Sequence, residues 1–169
     1  MKAENYGVAQ ERSHVLIIGV RKDLEGAFRM PPAFPGRRLN IGDALVDLMA
    51  ANGWTGAYDW ALDRREQPIL DREGKVVASG ALASTIVTRR GLPREKEAAR
   101  WRAKCVDIAG PPDSAPTPEQ ASKPGFMPAL TACMRARLQD FEDDWHFVGG
   151  KQRRPIRSAM PFHRGSRTR

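Results

Sequence analysis

The run His14-Val-Leu-Ile-Ile-Gly-Val20 constrains this chain more than any other stretch of it. It is rich in β-branched residues and stops at Arg21-Lys22-Asp23, which predicts a buried strand. A buried strand needs neighbours for its backbone N–H and C=O groups. In isolation it leaves open edges and apolar surface, so poor solubility or partial disorder is the expectation for such a chain on its own. The run also contains the longest apolar stretch, Val15–Ile18, only four residues in a chain of 169. A membrane span needs about 18 or more, so no membrane partner is expected.

The rest of the chain alternates between short periodic segments and irregular ones. Residues 29–40 hold three prolines and a glycine and cannot be regular. Asn40 can cap a helix running to about Ala51, with Ile41, Leu45 and Leu48 on one face, and Asn52-Gly53 ends it. Residues 53–75 carry Trp54, Tyr58 and Trp60, then a charged stretch, with a turn at Glu73-Gly74. Leu82–Gly91 reads as a second strand ending in two arginines, and Pro93–Lys104 as a short helix with proline near its first turn. Residues 109–128 hold six prolines, too many for strand or helix, and predict a long loop. Thr131 can cap a final helix whose apolar stripe is Met134, Leu138 and Phe141, with Arg135 and Arg137 on its polar side.

The N-terminal residues lack the apolar core of a signal peptide. Two cysteines, Cys105 and Cys133, make no disulfide framework, which points to a cytoplasmic protein. Three histidines and two cysteines show no metal-ligand spacing, so no metal is expected.

Two segments carry information beyond pattern. Glu4–Leu24, ENYGVAQERSHVLIIGVRKDL, resembles the eighth conserved motif of DNA cytosine-5 methyltransferases, in which Tyr-Gly, a small residue and Pro-Gln precede Arg-x-Arg and an apolar strand. Leu130–Gly150, LTACMRARLQDFEDDWHFVGG, resembles the ninth, in which Leu-Thr opens a helix ending in Arg-Leu-Gln-x-Phe. The order and the separation of about 120 residues also match, so the resemblance covers residues 1–150. Between the motifs, Ser84-Thr-Ile-Val-Thr-Arg-Arg-Gly91 resembles the signature of the family's target-recognition region.

The resemblance implies a fold and a chemistry. The fold class is α/β: an incomplete edge of a Rossmann-like methyltransferase catalytic domain over 1–52 and a small irregular target-recognition region over 53–128. The ninth-motif helix and turn follow over 129–150. The family flips a cytosine out of double-stranded DNA, attacks it with a cysteine thiolate and transfers methyl from S-adenosylmethionine. Gln10 and Arg12 match the motif's Gln and first Arg, and Arg12 would offer a forked donor to the flipped nucleotide. His14 stands where the second Arg is usual and would be an auxiliary donor to the cytosine; it reads equally as a strand-start residue satisfied by backbone. Ala9 replaces the usual Pro, and Glu142 replaces a Pro that follows Phe141, which should loosen that turn.

Thr85 and Ile86 would lie near the duplex groove. Arg89 and Arg90 would contact guanine edges or phosphates, or be surface arginines at a strand end. Arg94, Lys96, Arg100 and Arg102 could track phosphates, but alternate with Glu95 and Glu97 as a salt-bridged exposed face would. The four tryptophans read as packing residues.

Other family motifs have no counterpart here. There is no Phe-x-Gly-x-Gly loop, no Pro-Cys-Gln nucleophile and no Glu-Asn-Val, so Cys105 and Cys133 read as inert thiols. The expectation is a C-terminal fragment of a restriction–modification enzyme, inactive alone and binding no S-adenosylmethionine alone. The alternatives are a non-catalytic subunit completed by an N-terminal half, and a free-standing basic DNA-binding module. The charge does not help the last of these. Of 28 basic residues, seven lie in 149–169 with no acid among them, which leaves 21 basic and 20 acidic residues over 1–148. That tail has a possible origin in the coding frame. A plausible coding sequence for Ile156–Arg167, read in another frame, spells Pro-Ile-Gly-Asn-Ala-Phe-Pro-Pro-Arg-Val-Ala, which resembles the family's tenth motif. The expectation is therefore a frameshift near Lys151 and an aberrant, disordered basic tail over 151–169.

Overall fold

The computed structural model describes residues 1–34, 38–86, 95–108 and 110–145. Arg89, Arg90, Arg94 and the basic tail lie outside the described residues, as does most of the second half of the expected Leu82–Gly91 strand. The described part is mixed helix and strand. Single 3-10 turns at Ala3–Tyr6 and Lys22–Ala27 precede α1 (Ile41–Ala50) and α2 (Ala57–Glu66). A hairpin of β1 (Pro68–Leu70) and β2 (Val76–Ser79) follows, then α3 (Glu95–Arg102), α4 (Pro118–Ala121) and α5 (Ala132–Arg137). Among the described residues the hairpin is the whole sheet: antiparallel, with Pro68 opposite Ser79 and Ile69 opposite Ala78, and a register shift after Ile69. Asp71 closes its turn by accepting from the Glu73 and Lys75 amides, both at 2.9 Å.

The core is assembled by helices. Ile41, Leu45 and Met49 of α1 meet Trp60 of α2, Trp101 of α3, and Leu130, Met134 and Leu138 at α5. Asn40 caps α1 as its sequence suggested, accepting from the Asp43 amide at 2.9 Å. The Arg65 guanidinium donates twice to Asp43 Oδ1, at 3.0 and 2.5 Å, and ties α2 to the start of α1. The two helices touch at Gly42, where a Cβ would stand against the Ala61 carbonyl and 2.9 Å from the Ala61 Cα. The close approach explains why α2 escapes a search for apolar periodicity. Its buried positions are Ala57, Trp60, Ala61 and Arg64, correctly spaced for a helix face but mostly small or charged.

Three expectations need correction. His14–Val20 is not a buried strand: Val15 is 90% and Ile17 96% exposed, and no strand is assigned there. Among the described residues no sheet edge is presented to it, and a strand without an edge has no ladder to join. Leu82–Ile86 is likewise not a strand but an extended segment with one bridge, Ala83 to Gln10. The proline-rich stretch does contain a helix, the single turn α4. Pro118 sits at its first position, where it sacrifices no hydrogen bond, and Thr117 and Gln120 cap it reciprocally.

The C-termini of α3 and α5 close alike. Cys105 (φ 50°) and Asp140 (φ 65°) take the left-handed conformation usually given to glycine. The amide after each reaches back five residues, Val106 to Trp101 at 3.1 Å and Phe141 to Ala136 at 3.2 Å. The turn after α5, where Glu142 stands in place of proline, is closed by the Phe141 amide bond to Ala136 O and an Arg137–Asp143 ion pair.

Candidate functional site

Residues far apart in sequence converge around Gln10 and Arg12. Ala9 and Glu11 straddle Ala83 in a short parallel bridge: the Ala83 amide donates to Ala9 O and the Glu11 amide to Ala83 O, both at 2.8 Å. The Thr85 hydroxyl then donates to Glu11 O at 2.7 Å. Backbone pairing thus carries the Ala9–Glu11 segment directly onto Ala83–Thr85.

Side chains extend the junction. Gln10 is 0% exposed; its amide donates to Ser84 O at 3.4 Å, while its Oε1 is buried and meets no donor among the described residues. Arg12 donates to Gln139 Oε1 at 3.3 Å, which joins it to the turn after α5. Gln139 is held in turn by its own bond to Arg135 O at 3.0 Å. Burial pushes the Arg12 guanidinium pKa down. Lys104 donates to the buried Ser84 hydroxyl at 3.1 Å and to Arg100 O at 3.2 Å. Its pKa is also lowered, first by burial and then by Arg100 and Arg64, against an opposing pull from Glu11. The junction gathers two partly buried donors, Arg12 and Lys104, and a buried amide oxygen of Gln10 that meets no donor among the described residues. Such donors suit a polyanion carrying acceptors.

The sequence candidates fall into three groups. Gln10, Arg12 and Thr85 meet at this junction. Ile86 is buried in the hydrophobic core. His14 is half-buried, and its backbone exchanges bonds with Met1: the His14 amide donates to Met1 O at 2.8 Å and the N-terminal amine to His14 O at 2.7 Å. Arg89 and Arg90 are outside the described residues. Ser84, Lys104 and Gln139 were missed as site residues. Gln139 had a signal, the Gln of its Arg-Leu-Gln motif; Lys104 had none, because only tertiary packing brings it to Ser84.

Other sequence readings are settled by placement. Arg102 of α3 pairs with Glu95 at 2.7 Å, and both are exposed, as in a salt-bridged face. Arg135 and Arg137, on the polar side of α5, are half-buried and bonded within the fold. Arg135 is partly buried, donates to Leu130 O at 3.2 Å and has its pKa lowered by burial. Arg137 reaches Asp47 and Asp143, both at 2.5 Å, and Ala44 O at 3.3 Å; Asp143 first, then Asp47, push its pKa up. Trp60 and Trp101 are core residues, and Trp54 packs edge-on to Phe126 with centroids 5.3 Å apart. Cys105 and Cys133 are free and exposed. No group of histidine, cysteine and carboxylate side chains that could hold a metal, and no helix long and apolar enough to cross a membrane, occurs among the described residues.

Comparison with known proteins agrees with the family the sequence resembles. Residues 1–159 match the family of C-5 cytosine-specific DNA methylases. The chain is 31% identical over 162 residues to the type II methyltransferase M.NgoMIV of Neisseria gonorrhoeae, covering 94% of this chain and 47% of that protein. It is 32% identical over 165 residues to M.NaeI of Lentzea aerocolonigenes (95% and 37%) and 28% over 171 residues to M.BbvI of Brevibacillus brevis (95% and 44%), both type II methyltransferases. The chain therefore spans less than half the length of these relatives. No solved structure matches.

Proposed function

The chain belongs to the C-5 cytosine-specific DNA methylase family, and from that premise we propose that it is the part of a DNA cytosine-5 methyltransferase that recognises the target and positions the flipped cytosine. The observation that supports this reading is the junction of Gln10 and Arg12 with Ser84, Thr85 and Gln139. The segment that would serve the flipped base, the segment that would read the duplex and the turn after α5 meet within hydrogen-bonding distance.

In this reading Arg12 holds an acceptor oxygen of the flipped nucleotide, and Gln139 holds Arg12 in place until that oxygen arrives. His14 gives a single auxiliary donor to the cytosine. Thr85 and Ile86 anchor the recognition segment, the first through Glu11 O and the second by burial, so that Arg89 and Arg90 can reach the duplex. Residues 1–52 form an edge of a Rossmann-like catalytic domain, 53–128 the recognition region and 129–150 the support between them; 151–169 form an aberrant tail.

The family uses S-adenosylmethionine as methyl donor. One cavity among the described residues, about 460 Å³, is lined by Lys2, Arg38 and Lys104 together with Glu4 and Glu11, with no aromatic and no glycine in its wall. With no ring to stack on adenine and three cations against two carboxylates, that lining does not fit S-adenosylmethionine, itself a cation. The nucleophile and cofactor site belong, in this proposal, to the length of enzyme this chain does not span. A second reading, a non-catalytic subunit of a two-chain enzyme, is favoured by one observation: the solvent-exposed apolar run Val15–Val20.

The test is co-expression with the part of M.NgoMIV that this chain does not align with, read by bisulfite sequencing of host DNA. Cytosine methylation is expected, and Arg12→Ala should reduce it about a hundredfold, roughly 2.7 kcal/mol of transition-state stabilisation. Arg102→Ala, on the exposed face of α3, should leave it unchanged. Methylation that survives Arg12→Ala at full rate would rule out the assigned role.

A further inference from the structure

We propose that the cavity between the N-terminal segment, the β1–β2 hairpin and the turn after α3 is a phosphate site, holding a phosphoryl group that still carries a hydrogen: inorganic phosphate, or a phosphate monoester in its singly protonated form. The site adjoins the junction through Lys104, but neither Gln10 nor Arg12 lines it, so it is separate from the contacts assigned to the flipped nucleotide.

The walls carry charge of both signs. Lys2, Arg38 and Lys104 line the cavity together with Glu4 and Glu11. Among the described residues none of these three cations forms an ion pair with either carboxylate. Opposite charges that share one cavity and stay unpaired are free to meet a ligand. Lys104 gives one hydrogen to Ser84 Oγ and one to Arg100 O, which leaves the third of its ammonium for an incoming acceptor. A further positive charge stands beside the wall. Arg64 is only 9% exposed, and its Nε and Nη1 meet no acceptor among the described residues. Its carbonyl accepts from the amide of Ala81, a wall residue, at 2.8 Å. Its charge is also felt at Lys104, where it adds to burial in pushing the ammonium pKa down. A buried guanidinium without a counter-ion is costly, and an anion in the neighbouring cavity offsets that cost. The walls themselves are tied together, because Gln67 Nε2 donates to Ala103 O at 3.3 Å and so joins the foot of the hairpin to the turn after α3.

The same walls choose among anions. Sulfate and the diester phosphate of a DNA backbone accept hydrogen bonds but have none to give near neutral pH. Either would satisfy the cations and be repelled by Glu4 and Glu11. A phosphoryl group that keeps a hydrogen suits both signs. Its bare oxygens accept from Lys2, Arg38 and Lys104, and its O–H donates to a carboxylate in a short charge-assisted bond. Two acceptors of wall residues, Glu4 Oε2 and Gln67 Oε1, are buried and lack a donor among the described residues. The rest of the wall includes Pro68 and Ile69 of β1 and Val77 of β2, an apolar strip suited to the organic part of a monoester.

The test is calorimetric titration of the full chain at about pH 6, where roughly half of a phosphate monoester keeps its remaining hydrogen. Inorganic phosphate or glycerol phosphate should bind about tenfold or more tightly than sulfate, the worth of one charge-assisted hydrogen bond. Tighter binding of glycerol phosphate identifies an ester as the ligand, and the reverse identifies the free ion. Lys104→Met and Arg38→Met should each weaken phosphate by about tenfold. Lys75→Met, a cation of the hairpin turn outside the wall, should not. Replacing both carboxylates, Glu4→Gln with Glu11→Gln, should bring sulfate level with phosphate, because an amide accepts from one anion and donates to the other. Arg64→Met should weaken phosphate while keeping or raising the unfolding temperature, which separates binding from loss of fold. The proposal is overturned if the chain binds neither phosphate nor the ester, if it binds sulfate equally well, or if the preference for phosphate survives the loss of both glutamates. A DNA duplex without terminal phosphates that binds more tightly than phosphate and displaces it also overturns the proposal, and makes the cavity a contact for the DNA backbone.

Discussion

Gln10 sits fully buried with one amide oxygen unpartnered, and a buried unpaired acceptor costs about 1–3 kcal/mol. A residue chosen for stability alone would not leave it so. Gln10→Met, similar in volume and without the orphan, should therefore keep or raise the unfolding temperature while lowering methylation by the co-expressed pair. A Met variant that is both less stable and fully active would show that Gln10 is only a core residue. Arg137 is the opposite case, a residue with all three guanidinium nitrogens bonded. It joins Asp47 of α1 to Asp143 beyond α5, and Arg137→Ala leaves two carboxylates unpaired. Because both carboxylates are largely solvent-exposed, the expected loss is modest, about 1–2 kcal/mol by denaturant titration. The same pair sets an acid limit. Arg137 holds the Asp143 carboxyl below its ordinary 3.8. The stabilisation is thus complete above about pH 4 and drains away as pH falls through the lowered native value. Asp143→Asn should flatten that part of the pH–stability curve.

At the scale of elements, the short helices depend on their ends. A helix of six or eight residues cannot stand on propensity, so α3 and α5 rely on caps and burial. Thr131 and Asn40 were legible as caps because Ser, Thr, Asn and Asp do this work by side-chain chemistry alone. The C-terminal closures were not legible, because cysteine and aspartate stand where glycine is the usual signal. Asp140→Gly should relieve the left-handed backbone and raise stability by about 0.5–1 kcal/mol. A fall in unfolding temperature would mean that the Asp140 side chain itself supports the turn.

At the scale of the molecule, the contact between α1 and α2 decides whether there is a core. Gly42 lets the α2 backbone come close, and Gly42→Ala should push the helices apart at the centre of the packing. A loss of about 2–4 kcal/mol, or no folding at all, is expected in thermal unfolding. Such an effect was invisible in the sequence, where Gly42 reads as a weak point inside a helix. The same scale explains the two misread strands. Both Val15–Val20 and Leu82–Ile86 have strand composition, but a strand is a relation between two segments. Among the described residues neither finds a full partner; Leu82–Ile86 has one bridge at Ala83, and Val15–Val20 has no bond.

By itself the sequence determined what depends on local chemistry and on motif order. The caps at Asn40 and Thr131, the burial of Met134 and Leu138, the turn at Gly74 and the family resemblance are properties of residues and their near neighbours, whereas Phe141 falls beyond the left-handed Asp140 and outside α5. Only the tertiary structure decided that Gln10 is buried beside Ser84, that Lys104 joins them, that Arg12 is held by Gln139, and that Ile17 stands in water. The first three bring together residues 20 to 127 positions apart, and no local pattern encodes which of many possible pairings burial will select. The last has the complementary reason: hydrophobicity states what a segment must bury, and only the surrounding chain can supply the surface that buries it.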